Sequence, residues 1–93
     1  MTMMVKDPGT RIDFEIDWAV ACRDGQAVVA SLWAAQPDEE GGVSIAGSAH
    51  DLMQTTVTLA GGVAGHVYRV TNRVTLSDGQ IDERSVAVRV EER

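Results

Sequence analysis

The sequence is poor in the residues that most often announce a function. Cysteine occurs once, at Cys22, so neither an intramolecular disulfide nor a cysteine-based metal cage is available. Two prolines, one lysine and four aromatic residues are spread over 93 positions. An aromatic set this small is largely consumed by a core before it can line a binding platform. No apolar run approaches the roughly 20 residues that span a bilayer as a helix, so no membrane partner is expected. The first nine residues contain Lys6, Asp7 and Pro8 where a signal peptide needs an apolar core, which predicts a chain made and assembled in a cytoplasm. Basic residues are scarce as well. Eight Lys and Arg against fourteen Asp and Glu give a net charge of -6, and duplex binding rests on clustered bases, so no nucleic-acid partner is expected.

What is present points to β structure. Thirteen Val, four Ile and seven Thr stand against four Leu, and β-branched side chains fit a pleated surface better than a helix. The length fits one small domain, 1–93, with 1–9 as an N-terminal lead-in. From Arg11 to Trp18 the alternation is strict: Ile12, Phe14, Ile16 and Trp18 face one way, Asp13, Glu15 and Asp17 the other. Arg23-Asp24-Gly25 reads as a turn and Gln26 to Ala35 as a second strand. Gln36 to Gly42 is a loop and Val43 to Ala46 a short strand. Ala49 to Met53 is open to one turn of helix. Further strands follow over Thr55 to Leu59, His66 to Leu76 and Ile81 to Glu91. Six to seven short antiparallel strands of this kind predict an all-β, immunoglobulin-like sandwich. Trp33 is the expected core tryptophan on a central strand. Gly61, Gly62, Gly65 and Tyr68 suggest a tyrosine corner, in which the hydroxyl bonds to upstream backbone.

The last hairpin carries a register puzzle. A two-residue turn at Asp78-Gly79 places Val86, Val88 and Val90 on the face opposite Val70 and Val74, whereas directly paired residues share a face. A three-residue loop with a bulge at Gly79, or a bulge near Asp82 to Arg84, restores a continuous face. The shift chosen pairs Val70 with Val88, Asn72 with Val86 and Arg73 with Ser85.

Candidate chemistry is thin. His50, His66 and Asp51 follow no metal-ligand spacing, and no metal or other cofactor is expected. The serines lack a nucleophile elbow, and the Gly61 to Gly65 run is followed by neither Lys nor helix, so no enzyme is expected. Two charged groups remain as candidate interaction residues. Asp13, Glu15 and Asp17 stand about 6.6 Å apart along one strand face, too flat to wrap Ca²⁺ but suited to a basic partner. Arg73, Asp82, Glu83 and Arg84 cluster on the last hairpin, either as stiffening ion pairs or as a contact surface.

The ordered combination of Lys6-Asp7-Pro8, Ile12-Asp13-Phe14, Ile16-Asp17-Trp18, Ser31-Leu32-Trp33, Leu59-Ala60-Gly61-Gly62, Tyr68-Arg69-Val70-Thr71-Asn72-Arg73-Val74 and Asp82-Glu83-Arg84-Ser85 resembles the small bacteriophage tail proteins of the fibre–tail adaptor type, from Lys6 to Arg89. That resemblance implies a non-enzymatic virion part in the tail or baseplate, present in several copies, whose partners are other tail and baseplate proteins and receptor-binding fibres. The Ala19 to Gln26 connection and the Pro37 to Gly42 loop depart from the pattern and are where a particular partner would be read. The competing expectation is a carbohydrate- or cell-surface-binding sandwich module with Trp18 as its platform.

Overall fold

Seven strands build the chain in a computed structural model, which describes residues 2–22 and 25–92. They are β1 (Thr2–Lys6), β2 (Ile12–Asp17), β3 (Val28–Gln36), β4 (Ser44–His50), β5 (Gln54–Ala60), β6 (Val67–Leu76) and β7 (Ile81–Val90). One sheet has the order β1-β7-β6-β3 and the other β2-β5-β4. No helix occurs among the described residues, and the all-β, immunoglobulin-like sandwich expected from the sequence is what the chain forms. The expected turn at Arg23-Asp24 lies outside the described residues.

The lead-in segment is a strand. β1 runs parallel to β7, pairing Met4 with Val88 and Lys6 with Val90. Met4 packs on the core while Met3 and Val5 face out. Its sequence hides it, because two methionines and a lysine carry little strand signal. Lys6 is nevertheless 1% exposed, and its Nζ donates to the carbonyls of Asp7 (2.8 Å) and Gly61 (2.7 Å). Burial lowers the ammonium's pKa from the ordinary lysine value, and the charge of Asp7 partly opposes that.

Two local expectations are corrected. Ala49 to Met53 forms no helical turn: β4 continues to His50, and the Asp51 carboxylate then turns the chain by accepting from the backbone N–H groups of Met53 and Gln54, both at 2.8 Å. The last hairpin has its three-residue loop, Ser77 to Gly79, closed by bonds between Leu76 and both Gln80 and Gly79, with Gly79 at φ 90°. The pairing, however, is Val70 with Val86, Asn72 with Arg84 and Arg73 with Glu83, two residues away from the expected one. Both shifts restore side-chain parity. The geometry of a glycine at the loop's last position selects this one.

The core lies between the sheets as two adjoining clusters. One gathers Val43, Val57, Leu59, Tyr68, Val70, Val86, Val88 and Val90, the other Ile16, Trp18, Val28, Val74 and Leu76, with Phe14 and Trp33 touching both. The fully buried indole belongs to Trp18, not Trp33. Trp33 sits on β3, which is an edge strand here rather than a central one, and is only half-buried. Between the clusters stands a polar pin. The Oδ1 of buried Asn72 accepts from Trp18 Nε1 (3.0 Å) and Thr55 Oγ1 (2.6 Å), while its Nδ2 donates to Ser31 Oγ (2.9 Å) and the Leu32 carbonyl (3.0 Å). Thr55 belongs to the three-stranded sheet and Asn72 to the four-stranded one. The amide therefore ties the two sheets where antibody domains use a disulfide.

Candidate functional site

The acidic alternation on β2 emerges intact. Asp13, Glu15 and Asp17 are exposed on the outer face of the three-stranded sheet because Ile12, Phe14 and Ile16 turn inward. Asp13 accepts from Thr58 Oγ1 at 2.7 Å, and Asp17 accepts from the backbone N–H of Ala19 at 2.9 Å. Beside the acids, in register, lie Thr58 and Thr56 of β5 and then Gly47 and Ala49 of β4. The three strands of this sheet contain no Lys or Arg.

The hairpin residues divide into three roles. Arg73 faces Glu83 rather than Ser85, and their Nε and Oε2 lie 3.3 Å apart. Both are more than half exposed, so the pair is worth at most about 1 kcal/mol. The Asp82 carboxylate accepts from the N–H of Glu83 at 2.8 Å. Arg84 lies over the Trp18 ring, 4.5 Å from its centroid, and Nη1 donates to the Asp17 carbonyl at 3.1 Å. Arg84 thus closes the end of the core and joins the hairpin to the end of the acidic strip. The same packing removes the expected sugar platform, because Trp18 is 0% exposed and presents no face to a ligand.

At the opposite pole the tyrosine corner forms as expected. The Tyr68 hydroxyl accepts from the backbone N–H of Val63 at 3.0 Å and donates to Glu39 Oε1, which also lies 2.7 Å from His66 Nδ1. The Tyr68 bond, then the His66 bond, hold the Glu39 carboxyl below the usual carboxylate range. Burial, then the Glu39 bond, push the Tyr68 phenol above its usual value. Glycine is required here. A Cβ on Gly62 (φ 117°) meets Val90 Cγ2 at 2.6 Å, and one on Gly61 (φ 73°) meets the Gly42 carbonyl at 2.7 Å. His50 is elsewhere, its Nδ1 against the Asp51 carbonyl, and no group of three His, Cys, Asp or Glu able to hold a metal occurs among the described residues.

Of the outer face of the four-stranded sheet, sequence reasoning singled out Arg73 and Glu83 but passed over Arg69 and its surroundings. The rows of this face read Gln36, Arg69, Ala87 and Met3, then Ala34, Thr71 and Ser85, then Leu32, Arg73 and Glu83. Two shallow open hollows meet at Arg69. Met3, Val5, Leu32 and Val67 are exposed around it. The outward positions of β6, from Val67 through Arg69, Thr71 and Arg73 to Thr75, were the available signal.

Residues 6–89 match the family model described as podophage GP4 fiber-tail adaptor protein gp77. No curated protein matches. Among solved structures the chain is similar to the PKD domain of the KIAA 1837 protein, with 19% identity and a TM-score of 0.56 over 99% of this chain and 80% of that one. At that identity the likeness concerns the fold alone.

Proposed function

Since the chain belongs to the podophage fibre–tail adaptor family, we propose that it is a non-enzymatic structural adaptor that joins tail or baseplate proteins to receptor-binding fibres. The observation that carries this reading is the family match over residues 6–89, nearly the whole sandwich. The chemistry is compatible with it. The two most polar clusters, around Asn72 and around Glu39, are occupied in holding the fold, which leaves binding as the work of the exposed faces. Asp13, Glu15 and Asp17 on one face and Arg73, Asp82 and Glu83 on the hairpin are the charged contacts we assign to neighbouring subunits, with Arg84 positioning the hairpin against Trp18. Rigid faces of this kind suit a part held between other proteins, because each partner that binds the folded state also stabilises it by mass action.

Particles assembled without this protein test the reading directly. Tails are expected to form but to lack fibres, and a labelled copy is expected at the tail in complete particles. Fibres still attached in its absence, or a chain missing from purified particles, would overturn the proposal.

A further inference from the structure

We propose that copies of this chain associate head to tail, the Arg69 face of the four-stranded sheet on one copy receiving the acidic β2 face of the three-stranded sheet on the next. Charge is segregated between the two outer faces. The three-stranded sheet carries Asp13, Glu15 and Asp17 and no Lys or Arg. The outer positions of β6 and β7 carry Arg69, Arg73 and Arg89, of which Arg73 is paired with Glu83 (3.3 Å) and Arg89 with Glu91 (2.8 Å).

The spacings correspond. Arg69 and Arg73 flank Thr71 on β6, and Asp13 and Asp17 flank Glu15 on β2. Each pair is separated by four residues of extended chain, about 13 Å. Small side chains occupy the centre of both faces: Ala34, Thr71, Ser85 and Ala87 on one, Thr56 and Thr58 beside Gly47 and Ala49 on the other. Two such faces can stack at the roughly 10 Å that separates packed sheets. Arg69 makes no ion pair among the described residues, whereas Arg73 is partly neutralised by Glu83, so Arg69 carries most of the attraction. Asp13 and Asp17 each accept one hydrogen bond and keep lone pairs for a guanidinium.

Because different patches meet, the contact is heterologous and repeats. It closes into a ring if the rotation permits and otherwise extends. It is independent of what else the domain holds: a chain that stays monomeric can still be an adaptor, and one absent from particles can still self-associate.

The test is sedimentation of the full chain at about 50 mM salt, where the screening length is near 14 Å, with the variants Arg69→Glu and Glu15→Lys. Both positions are exposed, so folding is preserved and is verified by circular dichroism. Wild type is expected to grow in mass with concentration and to lose at least about tenfold in affinity at 0.5 M salt. Each variant alone loses association to a similar degree. An equimolar mixture of the two re-associates through the intact Arg69 face of one and the intact acidic face of the other. A wild type that remains monomeric to about 1 mM overturns the proposal, that being the weak end of specific binding. So does association that survives both substitutions, or a mixture no better than its components.

Discussion

The indole N–H of Trp18 lies 3.0 Å from the side-chain oxygen of Asn72, although 54 residues separate them in sequence and they approach from opposite sheets. All four polar contacts of that amide are internal, and its residue is fully buried. A satisfied buried amide contributes modestly, but removing it strands its partners. Asn72→Ala is expected to cost about 2–4 kcal/mol, since the Thr55 hydroxyl and the Leu32 carbonyl lose their Asn72 partner and Trp18 Nε1 keeps only Thr55 Oγ1, at 3.1 Å. Thr55→Val keeps the Trp18 to Asn72 bond and is expected to cost about 1 kcal/mol. Urea denaturation measures both. Equal effects of the two substitutions would show that Asn72 is not the pin.

Arg84 covers the same indole from outside, 4.5 Å from the ring. Arg84→Ala is expected to cost about 1 kcal/mol and to uncover Trp18. Arg84→Lys keeps the charge but loses the flat stacking surface, so it recovers only part of that. In a Trp33→Phe background, the emission of Trp18 is expected to shift to the red in Arg84→Ala. An unshifted spectrum would mean that the ring is sealed by other contacts.

The readable parts of the sequence were those in which one face is buried and the other wet. β2 and β6 alternate cleanly for that reason, and the acids of β2 and the valines of β7 followed from parity alone. Parity cannot choose between two shifts that both restore it, so the Val70 partner was misplaced although a three-residue loop with a bulge at Gly79 was one of the two alternatives expected. β1 was hidden because its inward residues are Met4 and Lys6, and a lysine is buried here only because the Asp7 and Gly61 carbonyls receive it. The exchange of roles between Trp18 and Trp33 has a similar origin. Which strand is central depends on sheet order, and only tertiary pairing sets that. The acidic strip was legible as a row of charges. The matching face around Arg69 was not, because its four strands come from both ends and the middle of the chain.

Two kinds of glycine are distinguishable by substitution. Gly62 combines φ 117° with a Cβ position 2.6 Å from Val90, whereas Gly79 has φ 90° and open space around it. Gly79→Ala is therefore expected to cost about 1 kcal/mol, from backbone strain alone. Gly62→Ala adds a collision with a fully buried valine and is expected to cost about 3 kcal/mol. Thermal unfolding separates the two. A Gly62→Ala variant as stable as Gly79→Ala would mean that Val90 yields without loss.

Glu39 and Tyr68 share one hydrogen bond, and it acts on stability at both ends of the pH scale. The folded Glu39 pKa is depressed below 4.5, by Tyr68 first and His66 second. Its contribution is present above the unfolded value and is lost as pH falls through the folded one, because the unfolded chain takes up the proton first. Asp51 acts in the same direction, its carboxylate favoured by the N–H groups of Met53 and Gln54. Tyr68 is raised above 10.0, by burial first and by Glu39 second, so its contribution is present below pH 10.0 and lost as pH rises through the folded value. Stability is expected to be level in the neutral range and to fall on the acid side, while on the alkaline side the lowered Lys6 pKa, which favours the folded chain as pH rises, opposes the loss from Tyr68. Glu39→Gln is expected to make the acid limb shallower without abolishing it, since Asp51 remains. Tyr68→Phe is expected to remove the phenol's share of the alkaline limb and to weaken the acid one through its lost bond to Glu39. Urea titrations from acid to alkaline pH check both. If Glu39→Gln keeps the full wild-type acid slope, the Tyr68 to Glu39 bond does not couple protonation to folding.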